Sequence, residues 1–148
     1  MKKKNEVTVT EIYSLQKGQT LELPLYLVRI PAGFPSPADD YIDKKLDLNE
    51  LLIEHQSATF FVKVVGDSML NAGIHSGDIL IVDRAIEPTN NKIVVAVVDG
   101  EFTVKRIRQI NGKVYLVPEN SDFNPLELTE EMDCRIWGVV TYAIHPLK

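Results

Sequence analysis

Two residues have the type and setting for peptide-bond chemistry, Ser68 and Lys105, 37 positions apart. Ser68 lies in Val65-Gly66-Asp67-Ser68-Met69-Leu70, where the apolar run Phe60-Phe61-Val62-Lys63-Val64-Val65 ends. A run of that kind reads as a largely buried strand, and Gly66 turns the chain at its end. A serine just past a strand end has its hydroxyl held by rigid backbone, while N–H groups at the next helical turn stay unpaired. A nucleophile and an oxyanion site can then coexist, with Gly66, Asp67 and Met69 forming the turn that supports them. A lysine can serve such a serine as general base without a histidine or an aspartate. An ordinary lysine, with a pKa of about 10.4, is neutral in roughly one molecule in a few thousand at pH 7, so making it a base costs on the order of 4–5 kcal/mol. Burial can supply that. Gly-Asp-Ser is also ordinary turn chemistry, and a lysine on a sheet commonly faces water. By themselves the two residues admit either reading.

The elements that must position them are strands. In Glu101–Ile107, alternation puts Thr103, Lys105 and Ile107 on one face and Phe102, Val104 and Arg106 on the other. Asp99-Gly100 joins the run Lys92–Val98 to this strand, and Asn111-Gly112 joins the strand to Lys113–Val117. Such pairs are strong hairpin signals, so three strands form a meander. Further strands are expected at Ile79–Val82, after Gly77-Asp78, and at Arg135–Ile144 near the C-terminus. A short turn of helix through residues 69–72 closes at Gly73. Asp47-Leu48-Asn49-Glu50-Leu51-Leu52-Ile53 has an acidic cap, Glu three residues on and leucines on one face, which predicts a short amphipathic helix. The expected fold is mainly β: a coiled, barrel-like antiparallel sheet with one short helix and an extended N-terminal arm.

The arm is residues 1–32. Val7-Thr8-Val9-Thr10 and Leu21–Val28 alternate as edge strands do, and Pro24 excludes a central strand there. To be ordered, the arm must lie on something else. It runs into Arg29-Ile30-Pro31-Ala32-Gly33-Phe34-Pro35-Ser36-Pro37-Ala38, three prolines within seven positions around an Ala-Gly pair. Proline keeps its neighbours extended and glycine leaves the backbone bare, so the segment can lie flat in a cleft. As composition it also suits a plain exposed linker.

With 148 residues, 45% of them hydrophobic, the chain can build one domain with a real core. A net charge of −5 and a pI near 5.2 argue against direct, sequence-specific DNA binding. No apolar run approaches the ~20 residues of a membrane span, and Met1-Lys2-Lys3-Lys4 is not followed by a signal-peptide core, so a cytoplasmic protein is expected. Cys134 is the only cysteine and reads as a small strand residue. His55, His75 and His145 are scattered without a ligand motif, so solvated or structural roles are expected for them, and no metal or cofactor.

Gly66-Asp67-Ser68-Met69, Gly77-Asp78-Ile79-Leu80-Ile81-Val82-Asp83 and Asp99-Gly100-Glu101-Phe102-Thr103-Val104-Lys105-Arg106, in that order, closely resemble the LexA/UmuD family of self-cleaving serine peptidases. The resemblance runs from Ala32 to the C-terminus and includes Phe34-Pro35-Ser36-Pro37-Ala38-Asp39 and Pro118-Glu119-Asn120-Ser121. It implies Ser68 as nucleophile, Lys105 as general base and the Ala32–Gly33 peptide as the bond cut, although some relatives carry cysteine in place of Ala32. It divides the chain into an arm, 1–32, removed by self-cleavage, and a peptidase and dimerisation domain, 33–148. Residues 1–32 are too short and too proline-interrupted for the helix-turn-helix head of the family's repressors. The branch implied is the accessory subunit of the SOS response, whose cleavage a RecA–single-stranded DNA filament stimulates and whose processed homodimer joins a UmuC-type translesion DNA polymerase. A non-catalytic dimeric scaffold for a polymerase and a LexA-like repressor fragment are the alternatives.

Overall fold

The computed structural model describes residues 6–15, 22–26 and 42–148. They form strands β1 (Thr8–Ser14), β2 (Glu22–Tyr26), β3 (Ile42–Asp47), β4 (Thr59–Val65), β5 (Ile79–Asp83), β6 (Ile93–Val98), β7 (Glu101–Ile110), β8 (Lys113–Val117), β9 (Leu126–Glu127) and β10 (Cys134–Ile144). One short helix, α1, spans Leu48–Leu52. All pairings are antiparallel, so the fold is mainly β, as its patterning predicts.

The chain forms two compact units. In the smaller, residues 16–54, β2 pairs with β3 and α1 follows directly, with the Asp47 carboxylate accepting the Asn49 N–H at 3.0 Å as the expected cap. Pro24 pairs with Lys45 in this two-stranded sheet, where every strand is an edge.

The larger unit joins the front of the chain to residues 55–148. Its strand order is β1-β4-β5-β10-β6-β7-β8-β9, and a second pairing of β1, Thr8 with Thr103 of β7, makes a ring of strands. The barrel-like expectation thus becomes a ring closed by a single residue pair. Asp99-Gly100 and Asn111-Gly112 take positive φ at both positions, 48° and 85° and then 51° and 78°. These mirror-image turns match the twist of the flanking strands and make the β6-β7-β8 meander.

Strand alternation divides the core. Val62, Val64, Leu80, Val82, Val95 and Val104 pack with Met69, Ile74 and Val7 in one cluster, while Val94, Ala96, Ile107, Leu116 and Val139 form a second. Successive residues of β6 serve opposite clusters, so this strand is buried on both faces, which is why it reads as an unbroken apolar run. Cys134 begins β10 as a half-buried strand residue. Burial pushes its thiol pKa up, with Asp133 and Asp99 adding to the effect.

Candidate active site

Ser68 follows the C-terminal end of β4 and Lys105 lies midway along β7. Both are buried, Ser68 completely and Lys105 to 6% exposure. The fold brings Lys105 Nζ to 3.4 Å from Ser68 Oγ.

The turn that carries Ser68 is clamped by the loop that follows β8. The Glu119 N–H donates to the Ser68 carbonyl at 2.9 Å, the Asn71 N–H donates to the Glu119 carbonyl at 2.8 Å, and Asn120 Nδ2 donates to the Asp67 carbonyl at 2.9 Å. Arg106 holds Glu119 by an ion pair. Met69 is fully buried and anchors the turn in the core, and the short helical turn Leu70–Ala72 ends at Gly73 in the left-handed region. The backbone N–H groups of Ser68 and Met69 hydrogen-bond to no described residue. In the sequence only the family resemblance marks Glu119 and Asn120, because nothing local identifies two loop residues as the brace of a turn fifty positions away.

The front of the chain lies in this cleft. The Val7 N–H donates to Ser68 Oγ at 2.8 Å, Thr103 Oγ1 donates to the Val7 carbonyl at 3.2 Å, and the Val7 side chain is fully buried. A carboxylate oxygen of Glu6 stands 2.7 Å from Lys105 Nζ. Gly66 makes this approach possible: at φ +113° it faces Glu6 and Val7, and a Cβ there would run into the Glu6 carbonyl and sit 2.8 Å from the Val7 Cα. Lys105 Nζ therefore donates toward Glu6, Thr103 Oγ1 at 2.9 Å, the Val104 carbonyl at 3.3 Å and Ser68 Oγ. Four acceptors thus surround the amine, which can donate at most three protons at once.

Glu6 and Val7 are the site residues that the sequence reading missed. Its only pointer was the edge-strand pattern of residues 7–10, which demanded a surface to lie on. Thr103 was visible as the same-face neighbour of Lys105. Ala32 and Gly33 lie outside the described residues. The histidines, read as scattered, are paired: His55 Nδ1 with Asp83 at 2.6 Å, and His145 stacked on His75.

Residues 24–141 match the family model described as Peptidase S24-like. The chain belongs to the S24 peptidase family. Protein SamA of Salmonella typhimurium is 50% identical over 125 residues, covering 84% of this chain and 86% of that protein. Protein MucA of Escherichia coli is 44% identical over 128 residues, covering 84% and 87%. The LexA repressor of Bordetella parapertussis is 40% identical over 124 residues, but these make up only 56% of its length. The matched range includes β4, Ser68 and β7, and no described helix is long and apolar enough to cross a membrane.

Proposed function

We propose that this chain is a self-cleaving, UmuD-type accessory subunit of translesion DNA synthesis, cytoplasmic and homodimeric, and that Ser68 and Lys105 cut the Ala32–Gly33 bond. The observation that carries the reading is a lysine amine and a serine hydroxyl, both buried and 3.4 Å apart, at a strand end in an S24 chain.

For the reaction, the front segment leaves the cleft and the segment around Ala32 takes its place between β4 and β7. Lys105, once its proton is lost, takes the Ser68 hydroxyl proton as Oγ attacks the Ala32 carbonyl carbon. The oxygen of the tetrahedral intermediate carries the negative charge, which the Ser68 and Met69 N–H groups, without a partner among the described residues, would receive. Collapse breaks the C–N bond, Lys105 returns the proton to the Gly33 amine, and water then frees Ala32 from the serine ester. The scissile bond is tethered only 35 residues ahead of the nucleophile, so local concentration is never limiting and a brake is required. Glu6 and Val7 are that brake, and a competent pose is the minor state that a RecA–single-stranded DNA filament would favour. The product, residues 33–148, joins a UmuC-type polymerase.

A second reading, a scaffold in which the dyad is idle, is favoured by the filled cleft. Mass spectrometry of the purified chain incubated at alkaline pH, beside Ser68→Ala, separates the two. A fragment beginning at Gly33, absent from the variant, supports self-cleavage; no fragment, or the same fragment from both, overturns it.

A further inference from the structure

On the flank of the larger unit, three ligand-type side chains converge that the dyad does not use. Asp78 precedes β5 and its carboxylate is fully buried. One oxygen, Oδ1, lies 2.6 Å from His145 Nδ1; the other, Oδ2, accepts the His75 backbone N–H at 2.8 Å and lies 3.8 Å from His75 Nδ1. The two imidazoles stack with centroids 4.3 Å apart. Sheet register makes the meeting obligatory: Ile144 of β10 pairs with Ile79 of β5, so the next residue on one strand and the preceding residue on the other, His145 and Asp78, come level. The Gly73–Gly77 turn brings His75 alongside.

A buried carboxylate needs a compensating charge. Among the described residues, the only ion-pair partners of Asp78 are these two imidazoles, which are neutral unless protonated. One potential ligand atom from each of the three residues lies within 4.8 Å of the others. We propose that His75, Asp78 and His145 form a binding site for a divalent transition ion of the zinc class. Two imidazole nitrogens and one carboxylate oxygen suit zinc and its neighbours and do not suit calcium or magnesium, which take oxygen ligands. Around tetrahedral zinc, ligands at about 2.0–2.2 Å stand about 3.3 Å from one another, so the site must contract. The two histidines can supply that movement: their side chains are about half-exposed, at 46% and 41%, while Asp78 stays fixed. Any proton on a coordinating nitrogen is released to solvent as the metal takes its lone pair.

Such an ion fastens the end of β10 to the turn beside the nucleophile. The Gly77 N–H donates to the Val64 carbonyl at 2.7 Å and the Gly66 N–H donates to Ser76 Oγ at 3.2 Å, so the metal-bearing turn also holds the last residues before Asp67 and Ser68. The site shares no residue with the dyad, and its test is independent of self-cleavage.

The full chain, stripped of metal with a chelator, is titrated with Zn²⁺ by calorimetry and with Co²⁺ by visible absorption, beside His75→Ala, His145→Ala and His55→Ala. The expected result is one ion per chain, a tetrahedral Co²⁺ spectrum and a thermal midpoint that rises with Zn²⁺. His75→Ala and His145→Ala each weaken binding about tenfold or more, and His55→Ala, at the other histidine–aspartate pair, leaves it unchanged. Circular dichroism of the metal-free variants shows that they are folded. No binding to the wild-type chain, or equal binding to the His75→Ala/His145→Ala double variant, overturns the site and leaves an ordinary hydrogen-bonded pair.

Discussion

Strands β1 and β4 lie side by side in the same sheet, hydrogen-bonded from Thr8 opposite Val65 to Ser14 opposite Phe60, yet they are held in different ways. β4 has a partner on each edge and sends Thr59, Val62 and Val64 into the interior. β1 has β4 on one edge and a single residue pair with β7 on the other, and six of its seven residues are exposed. Its grip comes from Val7, just ahead of the strand, and from the polar contacts of Glu6 and Val7 with Lys105, Thr103 and Ser68. β4 is part of the fold, whereas β1 is bound to it as a peptide would be. Extended peptides are commonly recognised through strand pairing, and under the proposed function the chain's own front end holds the place that a substrate strand would need.

The largest effect expected from this contrast is chemical. Lys105→Ala should slow formation of the Gly33 fragment about a thousandfold or more, while leaving β4 and its neighbours folded by circular dichroism. A variant that still cleaves at the wild-type rate would remove the dyad from the account. Gly66→Ala is next: its Cβ has no room beside Glu6 and Val7, so residues 7–14 should lose their amide-exchange protection while those of β5 and β6 keep theirs. Unchanged protection across residues 7–14 would mean that the front segment is not seated against Gly66. The third test is a matched pair of buried valines. Val62→Ala should lower global stability by about 2 kcal/mol, because β4 cannot leave without the core. Val7→Ala should barely move the thermal midpoint and instead raise protease sensitivity in residues 6–14. Equal midpoint losses would show that β1 is as integral as β4, and the comparison would fail.

What could be read from the sequence was local or carried by long collinear motifs. The Asp99-Gly100 and Asn111-Gly112 turns dictate the β6-β7-β8 meander because their backbone requirement lies in two adjacent residues. Asp47 caps α1 two residues ahead of its own hydrogen-bond partner. Ser68 after an apolar strand and Lys105 on an alternating one could each be placed, and the strand pattern suggested a barrel-like sheet, but which strands close it and so bring the two together was implied only by the family resemblance. The occupant of the cleft was hidden for the same reason. Val7 and Ser68 are 61 positions apart and Glu6 and Lys105 are 99 apart, and no pattern in either segment names the other. His75 and His145 looked scattered because the β5–β10 register, not sequence spacing, brings them together.

The smallest expected change is the most direct probe of the brake. Glu6→Gln removes the carboxylate opposite Lys105 and leaves the dyad, the turn and Val7 in place. A partly exposed ion pair is worth up to about 1 kcal/mol, so its loss should speed self-cleavage about two- to fivefold at neutral pH. The measurement is the rate at which the Gly33 fragment forms in Glu6→Gln and in the wild-type chain, with Glu6→Gln/Lys105→Ala as the blank. Faster cutting in the single variant and none in the double is the result expected of a front segment that restrains a working dyad. An unchanged or slower rate in Glu6→Gln would contradict it.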